Sequence, residues 1–222
     1  SSYDGDAHKG GNDDGHGADG QPSTRGYDGW SLTLIIRDNY LSYKMDISRK
    51  DLVHGLIATT HFANILAGRY PLSEDIADGI AKRLNVTADY LVKADSSSES
   101  ILSEIDNMIE KLIMGTLDVS FISGIPEYEN SLILEASRKL VQASFFLSMS
   151  QKEKAEEIEN SYLKFYLKQF DNSSVELPKP LKKALFYYKM QKARSENYSE
   201  LALEYCRNLL ALTYNDPNAL IQ

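Results

Sequence analysis

The sequence predicts an all-α protein. Apolar residues recur at the spacing of an amphipathic helix over most of the chain, as at Ile105, Ile109 and Leu112. No stretch of useful length alternates apolar and polar residues as a half-buried strand does. Prolines, glycines and serine-rich runs divide the pattern into segments of ordinary helix length. A hydrophobic content of 42% gives these helices enough apolar surface to form a core.

Composition narrows the class of protein. The 222 residues have room for one large or two small domains. The single cysteine, Cys206, cannot form an internal disulfide, which fits a reducing compartment. The sequence shows no run of 18 apolar residues and no secretory signal pattern, so we expect a cytoplasmic protein with no membrane partner.

Changes in composition divide the chain into three predicted segments. Residues 1–29 are rich in glycine, aspartate and serine and lack apolar periodicity, which is typical of a disordered tail or an artificial leader. His8 and His16 among the aspartates suggest a metal-binding tract as the less favoured alternative, and we predict no metal or cofactor. A polar, serine-rich run then separates a first helical domain, residues 30–94, from a second one, residues 100–222.

The net charge of −8 is unevenly distributed along the chain. Residues 1–29 carry six acidic and two basic residues, whereas residues 30–94 carry seven acidic and eight basic ones. The rest of the chain is net acidic. Residues 30–94 are therefore the part best suited to meet nucleic acid, although a net charge of +1 predicts weak non-specific affinity.

Residues 47–91 predict several short helices joined by tight turns, after a helix predicted over residues 30–44. Ser48 is placed to cap the first of these short helices, and Ser73 is placed to cap a later one whose first turn is acidic. Such capping residues at close intervals predict a compact helical module.

A second short helix is predicted between these two. Phe62 and Ile65 are its inward-facing residues. Thr59 and Thr60 offer polar caps at its start, and Gly68 fits the left-handed residue that ends it.

Two stretches of this module carry a family resemblance. Residues 68–91, GRYPLSEDIADGIAKRLNVTADYL, resemble the closing half of the lambda-repressor-like (XRE) helix-turn-helix family. Residues 52–68, LVHGLIATTHFANILAG, resemble the peptide-pheromone-responsive RNPP branch of that family. The resemblance covers about 60 of the 222 residues. It implies DNA binding, followed by tetratricopeptide-like helices that bind a signalling peptide, as in quorum sensing.

The resemblance also suggests which residues would contact DNA. In a helix-turn-helix module the second helix lies in the major groove with its N-terminal residues toward the base edges. By position, the base-reading candidates are Thr59, Thr60 and Asn64, and a capping role is the alternative for both threonines. The predicted phosphate-binding residues are Arg49, Lys50, His61 and Arg69. For each of these side chains, an ordinary solvated role is the alternative.

Two positions depart from the family pattern. Arg49 stands where the family generally has glutamine, and it keeps a phosphate donor. Leu66 stands where the family generally has a glutamate that pairs with an arginine of the first helix. We therefore expect Arg37 to lack that partner and Leu66 to pack as an apolar residue.

The second domain is predicted to be helical, apart from an irregular stretch at residues 115–126. Ser150 and Glu153 form a predicted capping box at the start of one helix. The predicted helices cover residues 101–113, 127–148, 151–170, 180–194 and 197–214.

Small and aromatic residues of the last two helices resemble the interlocking positions of one degenerate tetratricopeptide unit. Such an aromatic stripe can line a groove for a peptide, but more often it belongs to a core. The candidate peptide-binding residues are Tyr187, Tyr188, Tyr198 and Tyr205.

No arrangement typical of catalysis is present in the sequence. A Ser-His-Asp constellation, a glycine-rich phosphate loop and an HExxH motif are all missing. Cys206 lies among leucines, as a buried thiol does. We therefore predict that the protein is not an enzyme.

The motif and the helices together predict a sequence-specific transcriptional regulator that binds a double-stranded DNA operator as a homodimer. The C-terminal helices would supply dimerisation and a site for a small signalling peptide. The alternative is a protein-interaction module, such as an antitoxin or a phage modulator, with a vestigial helix-turn-helix. The low positive charge of the first domain and the apolar Leu66 favour that alternative.

Overall fold

The computed structural model describes residues 30–92, 98–171 and 177–214, and the regular structure in these ranges is entirely helical. The predicted all-α class is therefore confirmed. The predicted tail at 1–29, with His8 and His16, and residues 95–97 of the predicted polar break lie outside the described residues. The helices of the first range are α1 (Trp30–Met45), α2 (Arg49–Val53), α3 (Thr59–Leu66), α4 (Glu74–Arg83) and α5 (Ala88–Val92).

The two later ranges continue the helical fold. Their elements are α6 (Glu99–Ile113), α7 (Val119–Ser123), α8 (Leu132–Ser148), α9 (Lys152–Ile158), a π-helical segment (Glu159–Leu163), α10 (Lys164–Asp171), α11 (Lys179–Ser195) and α12 (Ser199–Tyr214).

Two local predictions for this second half are wrong, and a third is confirmed except for one local feature. The stretch expected to be irregular contains α7, whose N-cap Asp118 accepts a hydrogen bond from the backbone N–H of Phe121 at 2.8 Å. The predicted capping box is absent because Ser150 has a φ of 58° and Gln151 is the N-cap, without a side-chain cap. The helix predicted over residues 151–170 contains the π-helical segment, because apolar spacing alone does not distinguish one widened turn.

The predicted caps in the first half are mostly present. Ser48 accepts a hydrogen bond from the backbone N–H of Asp51 at 3.1 Å. Ser73 caps α4 in the same way. The caps expected from Thr59 and Thr60 are absent, because both residues already lie inside α3, and the N-cap position falls to an alanine. Both threonine side chains are exposed.

Helix α1 joins the first range of the chain to the second. It contacts α3 and α5 of the first range, and α10 and the π-helical segment of the second. Leu34, Ile36 and Leu41 of α1 are almost completely buried. Burial of this order stabilises the fold by about 2 kcal/mol per side chain. One hydrophobic cluster runs from α1 through α8 to α12, so apolar contacts continue across the predicted domain boundary.

Arg37 has an ion-pair partner after all. Its side chain is fully buried, and its Nε lies 3.5 Å from Oε1 of Glu135 in α8. Arg37 also donates to the carbonyl oxygen of Glu129 at 2.8 Å, and its guanidinium lies 3.9 Å from the ring centroid of Tyr90. Arg37 thus has no partner at position 66, where Leu66 is buried, and Glu135, an acid far along the chain, pairs with it instead.

Four tyrosines surround the Glu135 carboxylate. Tyr90 donates to Oε2 at 2.7 Å, and Tyr166 donates to Oε1 at 2.9 Å. Tyr162 also bonds to Oε1, and the Tyr40 hydroxyl bonds to that of Tyr90. Burial first, and then the negative charge of Glu135, raise the pKa of all four tyrosines, so they stay protonated donors. We call these residues the Glu135 network: Arg37, Tyr40, Tyr90, Glu135, Tyr162 and Tyr166.

Candidate nucleic-acid interface

Helix α3 has one buried face and one exposed face. Phe62, Ile65 and Leu66 are between 0% and 4% exposed and pack into the core. The opposite face is polar and small, and it is made of Thr59, Thr60, His61 and Ala63, which are exposed, and Asn64, which is half-buried. The packing therefore holds α3 rigidly and turns all three predicted base-reading side chains outward.

Helix α2 precedes α3 and presents two of the predicted phosphate-binding residues. Arg49 and Lys50, in its first turn, are both exposed. Arg83 of α4 donates to the carbonyl oxygen of Leu52 at 2.7 Å and to that of Asp51 at 3.3 Å. These bonds satisfy the carbonyls that the end of α2 leaves open. Arg83 therefore has a structural role, and it fixes α2 against α4.

Arg49 has an acidic neighbour. Asp38 of α1 is 3% exposed, and burial raises its pKa to about 6, although the positive charge of Arg49 and a hydrogen bond from Ser42 lower it. The Ser42 hydroxyl lies 3.5 Å from the Asp38 carboxylate. The charge of Arg49 thus acts on a buried carboxylate of the protein, and Arg49 and Lys50 both remain exposed candidates for phosphate contact.

The end of α3 is a Schellman turn. Gly68 has a φ of 75°, as predicted, and its N–H donates to the carbonyl oxygen of Ile65 at 2.9 Å. The next N–H, that of Arg69, donates to the carbonyl oxygen of Asn64 at 2.9 Å. In addition, Nη1 of Arg69 donates to Oδ1 of Asn64 at 2.9 Å. The structure therefore brings together a predicted base reader and a predicted phosphate binder.

Tyr70, which the sequence motifs did not single out, belongs to the same surface. Its ring lies 5.5 Å from that of His61, with an interplanar angle of 31°. Tyr70 is 50% exposed. An aromatic residue two positions after the glycine of a Schellman turn was the signal available, because such a turn folds the chain back along the helix.

The four C-terminal tyrosines are not placed alike. Tyr187 and Tyr188 are 8% and 1% exposed, which fits the core alternative. Tyr205 is half-buried near Phe186, and Tyr198 is 59% exposed. No single groove gathers all four.

A small cavity of about 280 Å³ lies between α9, the π-helical segment and α11. Its wall is largely charged and includes Lys152, Glu156, Glu159 and Lys192, with Tyr188 on one side. Lys192 pairs with Glu159 within it. Such a wall is suited to polar groups rather than to an apolar peptide side chain.

Metal sites and membrane spans are both absent from the described ranges. Those ranges hold no group of three or more histidine, cysteine or acidic side chains able to bind a metal ion. In the same ranges, no helix is long and apolar enough to cross a membrane.

No protein-family model matches the chain, and no curated protein or solved structure matches it significantly. The resemblance to the XRE family and its RNPP branch therefore stays a prediction.

Proposed function

We propose that this protein is a sequence-specific DNA-binding transcriptional regulator that acts as a homodimer on a palindromic operator. One observation carries the proposal: α3 is fixed by three buried apolar residues and turns Thr59, Thr60 and Asn64 outward. A helix presented in this way fits the width of the DNA major groove.

In this proposal α3 enters the major groove with its N-terminal end toward the bases. Thr59 and Thr60 lie in its first turn, where their hydroxyls bond to a base or their methyls meet a thymine methyl. Asn64 lies one turn further along the same face and pairs with adenine. Lys50, with Arg49 and His61, contacts phosphates and sets the register.

A dimer compensates for the low positive charge of the proposed DNA-binding segment, residues 30–94. Because residues 30–94 carry only one net positive charge, a single domain makes few phosphate contacts. Helix α12 offers a surface for the dimer, since Leu203 and Leu210 lie two turns apart on one face and are 51% and 46% exposed. Two copies joined there would double the contacts and read two half-sites.

In the proposal, the signalling peptide binds at the C-terminal helices. Tyr198, which directly precedes α12, and Tyr205 on α12 are the candidate residues that solvent can reach. The Glu135 network supplies a physical route for control, since it ties α1 and α5 to α8 and α10. A peptide that shifts those helices would change the position of the proposed DNA-binding segment, residues 30–94. Equal operator affinity with and without candidate peptides would remove this step.

A protein-interaction module is the second candidate function. The exposed leucines of α12 favour it as much as they favour a dimer, and the weak charge of residues 30–94 disfavours DNA. This candidate predicts a tight protein partner and no salt-dependent binding to DNA.

Selection of DNA from a random pool tests the proposal directly. We expect the purified chain to enrich a palindrome at low salt. Thr60→Glu should abolish the enrichment, because it turns a carboxylate toward the DNA. Ser103→Glu, which adds the same charge at an exposed position of α6, should leave it intact. No enrichment by the unchanged chain would contradict the proposal and favour the interaction module.

A further inference from the structure

Arg69 is joined to Asn64 by two independent hydrogen bonds. The first runs from the backbone N–H of Arg69 to the backbone carbonyl of Asn64 and belongs to the Schellman turn at Gly68. The second runs from Nη1 of the guanidinium to Oδ1 of the amide, at 2.9 Å. The Schellman turn thus fixes the backbone of Arg69 beside the last turn of α3. The Arg69 side chain then extends back to the exposed face of α3 that carries Asn64.

This second bond determines which way the Asn64 amide faces. An asparagine amide has an oxygen with two lone pairs and a nitrogen with two hydrogens, and rotation exchanges their places. Because the guanidinium can only donate, the oxygen of Asn64 must face Arg69. One lone pair of Oδ1 and both hydrogens of Nδ2 remain available. A bidentate pair with adenine needs one acceptor and one donor, which is within that remaining capacity.

We infer that Arg69 is a positioning residue that holds the amide of Asn64 in the orientation that selects adenine. The inference rests on the proposed function. Half-burial of Asn64 supports it, since a half-buried side chain has fewer rotamers than a free one. The guanidinium also polarises the amide and makes Nδ2 a stronger donor.

The competing role for Arg69 is direct binding to a phosphate. The two roles predict different patterns when the side chain is removed. If Arg69 binds a phosphate in each half-site, its removal weakens binding about equally for all sequences and lowers the salt dependence of binding. If Arg69 positions Asn64, its removal weakens discrimination at one base pair, which is the pair that Asn64 reads.

The test compares four variants on the selected operator and on operators changed at single base pairs: Asn64→Ala, Arg69→Ala, Arg69→Lys and Asn64→Ala/Arg69→Ala. Asn64→Ala should reduce discrimination at one base pair per half-site by about 5- to 150-fold. Arg69→Ala should reduce discrimination at the same pair, and the double variant should lose little more than Asn64→Ala alone. Arg69→Lys keeps the charge but replaces the rigid, planar guanidinium with a flexible ammonium, so it should keep the overall affinity of the unchanged chain without its full discrimination.

A readout without DNA accompanies these measurements. In the free protein, Arg69→Ala should make the Asn64 side-chain amide more mobile by NMR relaxation, whereas Lys50→Ala should not. Arg69 is exposed, so its removal should leave the thermal unfolding temperature nearly unchanged.

Two outcomes would overturn the inference, and they are distinguishable. If the unchanged chain selects an operator but Arg69→Ala weakens all sequences equally, Arg69 binds phosphate and the proposed function stands. If the unchanged chain selects no DNA, the proposed function fails and the inference fails with it.

Discussion

The Glu135 network and the outer face of α3 use polar side chains in opposite ways. In the network, Arg37 and Glu135 are 0% and 1% exposed, and hydrogen bonds from several helices surround them. On α3, the threonines are exposed, and nothing in the fold of the helix requires their hydroxyls. Burying a polar group costs free energy unless the group forms hydrogen bonds, so the buried side chains of the network have a structural role. The exposed polar side chains of α3 remain free to form hydrogen bonds with a binding partner.

The comparison predicts its largest effect for Glu135→Ala. The substitution leaves Arg37 charged in a buried position and removes the acceptor for the tyrosine hydroxyls. We expect the free energy of unfolding to fall by about 3–5 kcal/mol. Urea denaturation measures this decrease. The control is Glu110→Ala, an exposed acid of α6, which should change stability by less than about 0.5 kcal/mol. Similar decreases for both variants would contradict the structural role of the network.

The pH dependence of stability provides the next effect, at Asp38. Its pKa is about 6 in the folded protein, against about 3.9 for an unperturbed aspartate. The folded state therefore binds the proton more tightly, so this group's contribution to stability is present below pH 4 and lost as the pH rises to about 6. The change amounts to at most about 3 kcal/mol.

Asp38→Asn should remove that contribution. The variant should be more stable than the unchanged protein at pH 7, and the difference should shrink as the pH falls to 4. Urea denaturation of both proteins over this pH range gives the difference directly. A difference that stays constant with pH would show that Asp38 does not titrate there.

A smaller effect is expected at the turn that ends α3. Gly68→Ala places a side chain at a φ of 75° and should cost about 1–2 kcal/mol. It should also weaken operator binding, because the turn positions Arg69 over Asn64. Gly115 has a φ of 72° and open space around it, so Gly115→Ala carries the same backbone penalty away from α3. If the two variants bound the operator with equal affinity, the turn at Gly68 would have no role in DNA recognition.

Local signals in the sequence predicted the helices and several of their ends. Apolar spacing predicted α1, and Ser48, Ser73 and Gly68 were predicted in the roles they have. These features depend on residues within one or two turns of each other, which is the range over which sequence patterns report structure.

Sequence patterns of this kind did not predict contacts between segments that are far apart in the chain. The pairing of Arg37 with Glu135 joins α1 to α8, and no spacing rule relates the two positions. The bond from the Arg69 side chain to Asn64 was also not predicted, because the motif gives the place of Arg69 but not the direction of its side chain after the Schellman turn. The π-helical segment was not predicted either, because one extra residue per turn hardly changes the spacing of apolar residues.

The most direct test of the account is the affinity of Asn64→Ala for the selected operator and for the same operator with the adenine pair replaced. The matched control is Asn107→Ala, an exposed asparagine of α6. We expect Asn64→Ala to bind both operators with equal affinity. Asn107→Ala should keep the full preference of the unchanged chain for the selected operator. If Asn64→Ala keeps that preference at every base pair, α3 does not read DNA through Asn64, and the central claim is wrong.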